Sequence, residues 1–191
     1  MIHRLWHLLA QSATPISLDA LAATLNSSRE RVQAALEPEA EYDQFGNLLG
    51  WGLTLNPTVH QVRLEGRSLY AWCAPDTLYD PLVLNRSAQI VSRCPVTGTR
   101  IEMMFALDRL ESLSPAGVVI SIYRDWSLYQ QVKEAGGLRQ EGCNQQFFFA
   151  SGEVAAPWAD EHPDFTILPV EEAFLGLREI ALQQMALVAR A

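Results

Sequence analysis

Two thiols and a carboxylate are the residues of this chain best suited to chemistry. Cys73 and Asp76 fall in Trp72-Cys73-Ala74-Pro75-Asp76, and Cys143 precedes an aromatic run in Cys143-Asn144-Gln145-Gln146-Phe147-Phe148-Phe149-Ala150-Ser151. Soft metals prefer thiolates to oxygen or nitrogen ligands, and a neighbouring carboxyl can deliver a proton to whatever the metal carries. Pro75 suits the first turn of a helix, where its missing N–H has no partner to lose. A helix starting there sets Cys73 just outside the positive end and Asp76 in the first turn, a placement that favours thiolate over thiol. The plain alternative makes Cys73 a small buried apolar residue and Asp76 an ordinary helix-start carboxylate.

A buried strand is expected from Gln145 to Ala150, with Cys143 also in strand, so that Cys143, Gln145, Phe147 and Phe149 share one face. A thiol beside aromatic rings suits a pocket for a cation with an organic tail, although most of the phenylalanines are equally ordinary core. Trp72 either walls that pocket or simply packs. The third cysteine, Cys94, sits between a strand and the turn Pro95-Val96-Thr97-Gly98. Three cysteines without a Cys-x-x-Cys fit neither a disulfide framework nor a zinc ribbon. A site built from all three thiols with a fourth ligand from His3, His7, His60 or His162 is the weaker option, because the histidines are scattered and lack ligand spacing.

These residues need a scaffold, and the composition allows one. The chain has 191 residues, 49% of them hydrophobic and 19% charged, enough to bury a core. A net charge of -8 argues against nucleic acid as a partner, since phosphate binding depends on Lys and Arg. No apolar run approaches the ~20 residues that span a bilayer, and the first ten residues read as an amphipathic helix and not as a secretory signal. Free thiols suit a reducing compartment, so a cytoplasmic protein without a membrane is expected.

The fold class predicted is α+β: an N-terminal winged-helix-like three-helix module over 1–56, then a mixed β-sheet core with flanking helices over 57–191. Ile2, Leu5, Trp6, Leu9 and Ala10 form a helical stripe. Ser17 caps a second helix, and Ser27 or Ser28 a third. The turn at Asp43 to Gly46 lets Leu48 to Leu55 pair back as a wing. Strands are expected at Val59 to Leu64, Ala88 to Ser92, Arg100 to Phe105 and Gly117 to Ile122. A closing helix is expected from about Val170 to Ala189.

Arg67-Ser68-Leu69-Tyr70-Ala71-Trp72-Cys73-Ala74-Pro75-Asp76-Thr77-Leu78 closely resembles the active-site segment of the organomercurial lyases (alkylmercury lyases), and Cys143 with the Phe-Phe-Ala-Ser after it resembles that family's second thiol segment. The likeness extends through Glu41 to Leu55, Ser92 to Gly98, Pro115-Ala116-Gly117 and Val170 to Phe174. It departs in three places: a Cys-Cys pair and nearby histidines are replaced by Cys143-Asn144-Gln145-Gln146, Pro75 stands where a larger apolar residue is common, and the N-terminus is short. The resemblance implies protonolytic cleavage of carbon–mercury bonds in alkyl and aryl mercurials, giving a hydrocarbon and Hg(II). Cys73 and Cys143 would hold the metal and Asp76 would relay the proton and lie near the Hg(II). Cys94 would be mainly structural. It also implies no organic cofactor, with external small thiols or a mercuric reductase accepting the mercury, and a role in detoxification and mercuric resistance. Two other readings stay open: a non-catalytic soft-metal binding or carrier protein, and a winged-helix metal-responsive regulator. The second is weakened by Glu30, Glu37, Glu39 and Glu41 around Arg29 and Arg31.

Overall fold

The computed structural model describes residues 2–36 and 39–188; Glu37 and the predicted helix end at Ala189 lie outside it, as do the side chains of Ile2 and His3. The chain opens with α1 (Ile2–Gln11), α2 (Leu18–Leu25) and α3 (Arg29–Leu36). Ser17 caps α2 by accepting a hydrogen bond from the Ala20 N–H at 3.2 Å, and Ser28 does the same for α3 through the Arg31 N–H at 3.3 Å. Leu5, Leu9, Leu21, Val32 and Leu36 bury one face of each helix in a small core that Leu48 completes.

A hairpin follows, β1 (Glu41–Tyr42) and β2 (Leu48–Trp51), closed by Asp43, whose Oδ1 accepts from the Phe45 and Asn47 N–H groups at 2.8 Å each. The predicted wing strand is broken at Gly52 (φ 76°), beyond which β3 (Leu53–Thr54) doubles back on β2. The remaining strands of this sheet are β4 (His60–Leu64), β5 (Arg67–Ala71), β6 (Ala88–Arg93), β7 (Arg100–Phe105) and β8 (Leu110–Ser114), with α4 (Ala74–Val83) between β5 and β6. Its eight strands run β1-β2-β3-β5-β4-β6-β7-β8. A second sheet, ordered β10-β9-β11, contains β9 (Val119–Tyr123), β10 (Phe148–Phe149) and β11 (Phe165–Pro169). Between these strands lie α5 (Trp126–Glu134) and α6 (Gly152–Glu161), and α7 (Val170–Val188) closes the chain.

The sheets are antiparallel in every pairing among the described residues, a correction to the expected mixed sheet. The connections explain it: β4 and β5 are joined by only Glu65 (φ 47°) and Gly66 (φ 81°), and so short a turn can link only antiparallel neighbours. The main core lies where α4 and α7 pack over the sheets, with Leu78, Leu82, Ile90, Ile101, Phe148 and Phe174 buried in it. Phe105 and Phe174 stack at 4.5 Å, tying β7 to α7.

Candidate active site

Cys73 is the N-cap residue of α4, in extended conformation (φ -143°, ψ 170°), with Pro75 and Asp76 in the first turn. The helix start expected from Pro75 is therefore present. Cys143 does not lie in a strand. The strand is confined to Phe148–Phe149, and Cys143 opens a short 3-10 turn, Cys143–Gln145, that follows a wider turn at Leu138–Gly142. The turn is held by the Gln146 N–H donating to the Cys143 carbonyl at 3.1 Å. What brings the two thiols together is main chain: the Ala74 N–H donates to the Gln146 carbonyl at 3.1 Å, using one of the orphan donors at the start of α4. Ser121 on β9 fixes the next residues, accepting from the Phe147 N–H at 2.8 Å and donating to the Gln145 carbonyl at 3.2 Å.

The Cys73 and Cys143 sulfurs and an Asp76 carboxylate oxygen all lie within 4.8 Å of one another. Both cysteines are free and buried. Among the described residues no histidine joins this group. His60 is buried against Phe148 with its Nδ1 2.9 Å from Ser92 Oγ, and burial lowers its pKa to about 4. His162 stacks on Trp158 at 4.1 Å. Cys94 is buried in the turn between β6 and β7, where its carbonyl accepts from the Gly98 N–H, and it stands apart from the other two thiols.

The electrostatics differ from the thiolate expected at a helix N-terminus. Burial pushes the Cys73 thiol well above its ordinary pKa, and the hydrogen bond with Cys143 and the charge of Asp76 add to the effect; the Asp76 backbone N–H opposes it. Desolvation and the nearby carboxylate thus outweigh the helix end. Burial also raises Asp76, to about 6, against the hydrogen bonds from Cys73 that lower it. At neutral pH the resting pair is a thiol beside a carboxylate. Asp76 Oδ2 is buried without a hydrogen-bond partner in the protein.

These groups line a cavity of about 440 Å³, walled by Trp6, Trp51, Trp72, Tyr129, Ile122 and Leu177 among others. Trp72 is therefore a wall residue, whereas Phe147 and Phe149 pack in the core around Trp158. Sequence reasoning missed what holds Trp72. Its indole N–H donates to Glu41 Oε2 at 3.0 Å, and the Arg139 guanidinium lies 4.9 Å over its ring. Glu41 also accepts from Thr54 at 2.7 Å, from Asn56 and from Arg139 at 3.1 Å. Burial raises the pKa of this carboxyl, but the hydrogen bonds and the arginine charge prevail and hold it below the ordinary value. Asp80 was missed too, although its spacing from Asp76 puts both on one helical face. It is buried on the cavity wall, and burial followed by the Asp76 charge pushes its pKa well up.

A family model described as alkylmercury lyase matches residues 53–181. An alkylmercury lyase of Streptomyces lividans is 37% identical over 172 residues, covering 89% of this chain and 76% of that protein. One from Pseudomonas putida is 38% identical over 162 residues, covering 84% and 73%. The crystal structure of the mercury-bound form of MerB2 matches with a TM-score of 0.75, covering 94% of this chain and 96% of that one, and at 24% identity is a likeness of fold.

Proposed function

The chain belongs to the alkylmercury lyase family and is an organomercurial lyase; from that premise we propose that Cys73, Cys143 and Asp76 are the residues that cleave the carbon–mercury bond. The observation that carries this is the meeting of two sulfurs and a carboxylate oxygen within 4.8 Å in the wall of an aromatic cavity. Cys73 captures R–Hg⁺ as its thiol proton passes to the Asp76 carboxylate and the mercurial's former ligand leaves. Cys143 then binds the mercury and adds electron density that weakens the bond to carbon. A proton passes from Asp76 to the carbon as the bond breaks. Of the two protons shed by the two thiols, one ends in the hydrocarbon and the other leaves with the displaced ligand. Hg(II) remains on Cys73 and Cys143 with Asp76 beside it.

The reaction as written needs no organic cofactor. Two thiolates hold Hg(II) tightly, so release falls to external small thiols or a mercuric reductase. Buried free thiols accord with a cytoplasmic setting, and no helix among the described residues is long and apolar enough to cross a membrane. We read α1 to α3 with the β1–β2 hairpin as a winged-helix-like module over 1–56 and the remainder, 57–191, as the catalytic core. The test is hydrocarbon release from methylmercury and phenylmercury in excess thiol. Methane and benzene from the wild type, lost in Cys73→Ala, Asp76→Ala and Cys143→Ala, are the expected result. Full turnover in any of these variants would remove that residue from the mechanism, and mercury binding without hydrocarbon from the wild type would leave a carrier.

A further inference from the structure

We propose that the cavity contains a second, polar subsite, formed by the indole N–H of Trp6 and the carboxyl of Asp80, which recognises a hydroxyl group on the organic part of the mercurial. It rests on the lyase reading and adds a substrate class to it. Both residues line the cavity that holds the two thiols. Trp6 is 9% exposed and Asp80 2%, yet Trp6 Nε1 and Asp80 Oδ2 have no hydrogen-bond partner in the protein. Buried polar atoms without partners cost stability unless something in the cavity satisfies them, and here both line the space the substrate enters.

Both groups adjoin the Trp51–Gly52 segment of the cavity wall. The Trp6 ring packs on Trp51 at 5.1 Å and on Tyr79 at 6.1 Å. Asp80 follows Tyr79, and its Oδ2 lies so close to Gly52, the residue after Trp51, that a Cβ there would meet it at 2.6 Å. Asp80 lies four positions beyond Asp76 in α4, a rise of about 6 Å, comparable to the span from the reacting carbon of an aryl ring to an oxygen on its para substituent. A para substituent is therefore long enough to reach Asp80 when the reacting carbon is at Asp76.

The pairing selects a particular group. Burial and the Asp76 charge favour the neutral acid at Asp80 over an opposing backbone hydrogen bond from Leu53, and a neutral carboxyl can both donate and accept. A hydroxyl accepts from the indole and exchanges a proton donor with Asp80 Oδ2, whereas a plain alkyl group leaves the indole N–H and Oδ2 unmet and an ammonium leaves the indole N–H unmet.

The test compares kcat/KM for 4-(hydroxymethyl)phenylmercury and 4-ethylphenylmercury, equal in size and close in electronic demand at the reacting carbon, by release of benzyl alcohol and ethylbenzene in excess thiol. The wild type should prefer the hydroxymethyl substrate by about tenfold, and the ratio should fall to about one in Trp6→Phe and in Asp80→Leu. Because the ratio is taken within each protein, partial loss of folded material cancels. Equal or reversed preference in the wild type, or an unchanged ratio in both variants, overturns the proposal. Benzene release from phenylmercury is measured alongside. Where benzene appears without the preference, the subsite alone fails; where no mercurial yields hydrocarbon, the lyase reading falls and the subsite with it.

Discussion

Cys73 and Asp76 are both raised by burial, and the consequence is a proton donor and a proton acceptor held in contact. The carboxylate must be ionised to take the thiol proton, so kcat/KM, which reports the free enzyme, should rise with pH through about 6. A pH profile flat across that range would contradict the relay. Replacing Asp76 by Ala should lower turnover by about 10²–10⁴-fold while mercury binding, measured by equilibrium dialysis, persists. The same shift bears on stability. A carboxyl whose folded pKa lies above its ordinary value stabilises the fold below that value, 3.8, and the contribution is lost as pH rises through the folded pKa, about 6 for Asp76. Asp80 behaves alike over a window that starts at 3.8 and extends upward. Asp80→Asn should therefore flatten the loss of stability with rising pH, seen as a smaller drop in urea midpoint between pH 5 and pH 8.

At the level of elements, the distance between the thiols depends on how α4 and the Cys143 turn are clamped. Ser121→Ala removes the hydroxyl's bonds to the Gln145–Phe147 main chain and leaves a half-buried N–H without that partner, which should cost about 1 kcal/mol in chemical denaturation and lower hydrocarbon release more than mercury binding. Gly52→Ala forces a side chain into the left-handed region and onto Asp80, and should destabilise by about 1–3 kcal/mol. The start of α4 was legible in the sequence because Pro75 and Asp76 are local signals that tertiary structure had no reason to override. The turn at Cys143 was not. The aromatic run after it reads as a buried strand, but the Ala74 N–H claims the Gln146 carbonyl and Ser121 Oγ claims the Gln145 carbonyl, leaving only Phe148–Phe149 to the ladder. Asp43 and Gly46 marked the hairpin turn correctly, whereas the Glu41 cluster joins residues as far apart as Arg139, a relation that periodicity does not register.

Across the whole molecule, Cys73 lies two residues beyond a strand of the eight-stranded sheet, and Cys143 five residues before a strand of the three-stranded one. A metal shared by the two sulfurs would staple the sheets together. Because binding to the folded state alone stabilises it by mass action, Hg(II) at about a thousand times its dissociation constant should add about 4 kcal/mol, or about 8–16 °C in Tm for a chain of this size. Most of that gain should vanish in Cys143→Ala, followed by calorimetry in thiol-free buffer.

Trp6, Trp51 and Trp72 stand in the cavity wall, and Trp72 is the neighbour of Cys73 in the chain. Mercury is a heavy atom, and spin–orbit coupling in a nearby indole diverts its excited state from fluorescence to the triplet. Arrival of the metal should therefore dim the protein's own emission and brighten its phosphorescence, and delivery to an acceptor thiol should reverse both. The same walls that enclose the substrate make each turnover visible without a label.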